Sequence, residues 1–214
     1  QEPRFSRDAS TRAHLLGHEP RGDERLILYP TVVGDASSAE RMARELLGAL
    51  RQLPERWHLA LFFQEGTEYR RCRDFAREAG MAGRVGFVEP VPSLLLMKYL
   101  AASDFSAILY DDVKSSGYFM CNADKFGLLV AAGVPYVASN YPNLEALTYR
   151  HGLGLCCDPK DSARMAECFR GLDAGVPSRE ERQQKIREAF ESDLNFEKHA
   201  GVLVDALKAL GGGQ

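Results

Sequence analysis

Short apolar runs alternate along this chain with longer stretches in which apolar residues recur every three or four positions. The short runs are "RLILYPTVV" (25–33), "WHLALFFQ" (57–64), "RVGFVEP" (84–90), "FSAILYDD" (105–112), "PYVAS" (135–139) and "GLCCD" (154–158). They are apolar at consecutive positions and bounded by turn formers, which predicts strands buried on both faces. Helical periodicity fills the intervals at 37–53, 67–80, 93–103, 122–133 and 143–152. In the first of these, Met42, Leu46, Leu47 and Leu50 share a face, with Ser37 or Ser38 as cap. In the second, Tyr69, Cys72, Phe75, Ala76 and Ala79 line up, and Gly80 closes the helix. Ser93 and Asn143 are the expected caps of two later helices, and Gly152 is an expected stop. Three more helices are expected at about 161–171, 179–192 and 195–210.

Strands alternating with helices, joined by right-handed crossovers, predict an α/β fold: a doubly wound, Rossmann-like parallel sheet of about six strands. The sheet domain is expected over 23–175, with a C-terminal helical tail over 176–214 packing on the same domain. Residues 1–22 are polar and punctuated by Gly and Pro, and read as a linker or one short helix. Ligands in such sheets bind beyond the C-terminal strand ends, where strand order reverses. The loops after 33, 64, 88, 112 and 139 are therefore the candidates.

Composition narrows the partners. With 214 residues, 45% hydrophobic and 27% charged, the chain can bury a sizeable core. A net charge of −3 shows no basic excess for nucleic acid and no acidic tail. The five cysteines form no C-x-x-C pair and read as reduced, mostly buried thiols. Cys156 and Cys157 are adjacent, so in a strand they face opposite ways. His14, His18, His58, His151 and His199 show no metal-ligand spacing, so neither a zinc site nor any other metal or cofactor is expected. No stretch has the apolar length of a membrane span, and the N-terminus has no apolar signal core. A cytoplasmic location is expected, either free or peripheral to a membrane. The first residue is Gln1, so the sequence reads as a piece of a longer protein, a processed form or a trimmed one.

One stretch poses a chemical question. In "FMCNADKFGLLVAAGVPYVASN" (119–140), Lys125 lies in the first turn of an apolar helix, at the positive end of its dipole. A phosphate held between that ammonium and the first-turn amides would reverse the penalty. A salt bridge to Asp124, or plain solvation, answers the question equally well. Asp111-Asp112, Glu65, Tyr118, Phe119 and Tyr141 sit at the same end of the expected sheet. Each is open to a ligand-contacting role or to ordinary turn and packing roles.

The stretches "ADKFGLLVAAGVPYVASNYPNLEAL", "HGLGLCCDPKDSARMAECF" and "RVGFVEPVPSLLLMKYLAASD" resemble the C-terminal, nucleotide-sugar-binding domain of GT-B glycosyltransferases, most nearly the large retaining families. Gly133, Pro135, Ala138, Ser139, Asn143, Leu144, Gly152, Gly154, Pro159 and Asp161 fall in register with the family pattern. The resemblance covers about residues 23 to 210. It implies a UDP- or GDP-linked sugar donor, its diphosphate held by Lys125 with Asn122, Ala123 and Asp124 at the helix start and by the turn at Gly34. It also implies that backbone groups of Phe87, Val88 and Glu89 read the base. Transfer would then need an N-terminal acceptor domain, in the same chain or another. Two positions depart from the pattern. Leu128 stands where the family carries a ribose-binding glutamate, and Asp35 follows Gly34 where the family places cations. These departures keep two other readings open: an interaction domain of the same fold that has lost donor binding, and half of a nucleotide-sugar epimerase.

Overall fold

The structure, a computed structural model, describes residues 8–33, 42–111, 124–175 and 177–211. Six parallel strands form one sheet in the order β3-β2-β1-β4-β5-β6. They are β1 (Arg25–Val33), β2 (Trp57–Phe63), β3 (Val85–Val88), β4 (Phe105–Ile108), β5 (Tyr136–Ser139) and β6 (Gly154–Cys157). The helices are α1 (Ala9–Leu16), α2 (Ala43–Gln52), α3 (Thr67–Glu78), α4 (Ser93–Ala102), α5 (Asp124–Ala132), α6 (Pro142–His151), α7 (Ser162–Ala174), α8 (Arg179–Ser192) and α9 (Phe196–Gly211). The chain winds outward from β1 to β3, then returns to β4 on the other side of β1. Strand order therefore reverses between β1 and β4, the doubly wound pattern expected from the sequence.

Period-two alternation along the strands separates two cores. Ile27 and Tyr29 of β1 join Leu46, Leu47 and Leu50 of α2, Cys72 of α3 and Phe169 of α7 on one face. Leu26 and Leu28 join Leu15 of α1, Leu100 of α4, Leu129 of α5 and Ile186 of α8 on the other. The adjacent cysteines split as expected: Cys157 lies in the first core and Cys156 in the second. Pro30 sits in the central strand, where its missing N–H breaks the ladder. The β1–β2 register shifts between Tyr29 and Val32, and β1 pairs with β4 only through Ile27 and Leu28.

Local signals set most element ends. Gly133 follows α5 with φ +69°, a left-handed conformation that glycine adopts without strain. Gly152 closes α6 in the same way. Two cap expectations shift, by one residue in α4 and by two in α6. Pro92 and Tyr141, not Ser93 and Asn143, occupy the N-cap positions of α4 and α6, and neither makes a side-chain cap bond. In α6 the reason is Pro142 at the first helical position, where its fixed φ and absent N–H are tolerated. Ser37 and Ser38 lie outside the described residues.

Helix α1 is held by a buried ion pair. The Arg12 guanidinium donates to Asp104 Oδ2 at 2.8 Å and to the carbonyls of Ala102 and Glu24. The same Asp104 oxygen accepts the Leu26 N–H. Gly86 of β3 lies so close to α1 that an added Cβ would stand 2.4 Å from the Leu15 carbonyl oxygen. At the other end of the chain, α8 buries Ile186 and Ala189, whereas α9 is exposed from Gly201 to Leu210.

Candidate functional site

The C-terminal strand ends bring several of the expected residues to one edge. Lys125 is the second residue of α5, the helix that follows β4 beside the reversal of strand order. Its side chain is half-buried, and its ammonium lies 5.8 Å from the centroid of the Tyr110 ring, an aromatic face suited to a cation. Tyr110 is itself fixed by the neighbouring strand. The Ser139 hydroxyl, at the end of β5, accepts the Tyr110 N–H and donates to the Tyr110 carbonyl. The buried Tyr141 hydroxyl donates to the carbonyls of Tyr110 and Asp111. Asp111 Oδ1 meets Lys160 Nζ at 2.7 Å. Among the described residues, Lys125 and Lys160 thus bring two ammonium groups to this edge.

Leu128 lies one turn beyond Lys125, half-buried and packed against the second core. At the far side of the edge, Val88 is buried, Phe87 is partly buried and Glu89 is exposed. The Phe87 ring packs edge-on to Tyr69, which stacks on Phe63 at 4.5 Å. Glu65 is exposed and faces Arg70 at 3.9 Å, an arrangement ordinary for a turn carboxylate. Gly34, Asp35, Asp112, Tyr118, Phe119, Asn122 and Ala123 lie outside the described residues, as does the side chain of Asp124.

A second polar group sits at the opposite end of the sheet, where linear spacing gave no hint. Glu24 precedes β1, His58 is the second residue of β2, and His18 follows α1. Their ligand atoms lie within 4.8 Å of one another. Burial holds the His58 imidazole below its ordinary pKa, opposed by the nearby Glu24 carboxylate. The signal for this cluster was topological: β1 and β2 are neighbours in register, with Leu26 beside His58.

No family model and no curated protein matches the sequence. Solved structures do match in fold. HepE from Anabaena, in complex with UDP and glucose, superposes with a TM-score of 0.73 at 14% identity, over 96% of this chain and 54% of that one. Sucrose-phosphate synthase from Thermosynechococcus elongatus gives 0.70 at 21% identity, over 98% of this chain and 50% of that one. The isolated C-terminal domain of LpcC, a group 1 glycosyltransferase from Francisella tularensis, gives 0.66 at 13% identity, over 90% of this chain and 96% of that domain. The chain therefore spans about half the length of HepE and of sucrose-phosphate synthase. Its fold is that of one Rossmann-like half of a GT-B glycosyltransferase.

Proposed function

We propose, on the premise of this shared fold, that the chain is the donor-binding half of a glycosyltransferase. In this reading it holds the diphosphate of a UDP- or GDP-linked sugar at the C-terminal strand edge. The observation that carries it is Lys125, at the start of α5, beside the reversal of strand order and over the Tyr110 ring. First-turn amides and a cation together favour an anion there, and they would stabilise the leaving diphosphate as the sugar departs. Asn122, Ala123, Asp124 and Gly34 would complete the phosphate cradle, and the backbone at Phe87, Val88 and Glu89 would read the base. HepE, a relative in fold, is described in complex with UDP and glucose.

Transfer would require an N-terminal acceptor domain in the same or another chain. The exposed apolar positions of α9, Val202, Leu203, Leu207 and Leu210, offer a surface for such a partner. Among the described residues, no helix is long and apolar enough to cross a membrane.

Calorimetry with UDP, GDP, ADP and their sugar conjugates tests the reading. Binding of at least one diphosphate at millimolar concentration or below is expected. Silence toward all of them would favour the second reading, an interaction domain of GT-B fold without a donor site. Leu128 favours that second reading, because an apolar side chain packed on the core offers a ribose no acceptor.

A further inference from the structure

The cluster at the N-terminal edge of the sheet has the geometry of a metal site. His18 Nε2 lies 3.6 Å from Glu24 Oε1, and His58 Nε2 lies 3.4 Å from the same oxygen. Both distances are long for a hydrogen bond, which centres near about 2.9 Å. They match the ligand–ligand edge of a tetrahedral zinc site, about 3.4 Å for metal–ligand bonds of about 2.1 Å. The three ligand atoms all lie within 4.8 Å of one another, so coordination asks the third edge, between the two imidazoles, to close by at most about 1.4 Å.

The protonation pattern fits as well. His18 Nδ1 lies 2.9 Å from the Glu19 carbonyl oxygen, which can only accept, so the proton belongs on Nδ1. In the neutral ring, that leaves the Nε2 lone pair facing the carboxylate. A carbonyl partner of this kind is the usual orienting contact of a metal-bound imidazole. Glu24 is buried, and its second oxygen accepts the Arg21 N–H at 2.7 Å. His58 is also buried, and its Nδ1 has no hydrogen-bond partner. A buried imidazole that far from its carboxylate, with an orphaned second nitrogen, is poorly satisfied by protein alone.

Charges around the cluster leave room for a cation. Arg84 is spent on the carbonyls of Trp57, Leu50, Leu53 and Pro54. Arg56 pairs with Asp173, and Arg12 with Asp104. A pocket of about 540 Å³, lined in part by His18, Glu24 and His58 and rimmed by Arg21 and Arg56, borders the cluster. It gives the fourth coordination position access to water or a small anion.

We propose that His18, Glu24 and His58 bind one zinc ion, with water or a small anion as fourth ligand. Two imidazoles and a carboxylate are a donor set that zinc accepts. The site lies at the opposite strand ends from Lys125, so its ion plays no part in donor chemistry. It staples the segment between α1 and β1 to β2. The proposal is independent of the donor reading.

The test is calorimetric titration of the chelator-treated chain with zinc sulfate, with a parallel visible spectrum after Co²⁺ addition. One ion per chain in the micromolar range or tighter is expected, with the intense bands of four-coordinate Co²⁺. His18 is partly exposed, so His18→Ala should keep its circular dichroism while weakening zinc by at least about tenfold and abolishing those bands. Glu24→Gln should do the same. Nucleotide titrations should be unchanged by either substitution. Absence of zinc uptake would overturn the proposal. So would uptake and bands that persist in His18→Ala, which would place the ion elsewhere, for example on thiols.

Discussion

The Ser139 hydroxyl grips both backbone groups of Tyr110, accepting its N–H at 3.0 Å and donating to its carbonyl at 3.2 Å. One side chain at the end of β5 thereby fixes the exit of β4, and with it the aromatic ring that Lys125 faces. Ser139→Ala removes both bonds within a buried setting. A loss of about 1–3 kcal/mol is expected in urea unfolding, with weaker binding of whichever diphosphate the wild type takes up.

Lys125→Ala should weaken nucleoside diphosphates by about 1.5–3 kcal/mol, the scale of a charge-assisted bond to phosphate. Nucleosides offer no phosphate and should bind unchanged. Paired calorimetric titrations with UDP and uridine separate the cases. Equal losses for both, or none for either, would return Lys125 to an ordinary solvated or ion-paired role.

Leu128→Glu addresses the departure from the family pattern. Leu128 packs on the second core, so a carboxylate there is partly desolvated. The variant should be less stable by about 1–3 kcal/mol, with no gain in nucleotide affinity. A fully stable variant that binds a diphosphate more tightly would reveal a dormant ribose subsite.

Much of this was legible in sequence because the signals are local. Continuous apolar runs marked every strand, and glycines marked the ends of α5 and α6. The cap position of α4 was displaced by one residue and that of α6 by two, because the prolines at these helix starts constrain the backbone more strongly than Ser93 or Asn143 can. The histidine–glutamate cluster was invisible for a different reason. His18 and Glu24 share the connection between α1 and β1, whereas His58 lies in β2, and only the pairing of β1 with β2 brings the three together. The support of Tyr110 by Ser139 spans 29 residues and likewise follows from strand order.

Arg12→Met tests how α1 is anchored. It leaves the buried Asp104 carboxylate without its guanidinium, and a loss of about 3–5 kcal/mol is expected. The double variant Arg12→Met/Asp104→Leu should recover part of that loss in the same denaturant titration. Additive costs would show that the two residues act separately.

Alkaline stability should depend on Cys72. Burial pushes its thiol up from 9.0 to about 12. The unfolded thiol ionises first, so this contribution is whole below about pH 9 and is lost as pH rises toward 12. At about pH 10 the loss from this one group is about 1 kcal/mol relative to neutral pH. Cys72→Ala should flatten the fall in stability between pH 8 and 10 by that amount, measured by denaturant titration at each pH.

Cys156 and Cys157 turn β6 into a pair of built-in reporters. One thiol is sealed beneath the layer of α1, α4, α5, α6 and α8, and the other beneath that of α2, α3 and α7. A thiol reagent reaches either one only when the covering layer lifts, so labelling rates in mild denaturant clock the opening of the two layers separately. Equal rates would mean that the molecule unzips as one cooperative unit. Unequal rates would tell which flank of the sheet lets go first.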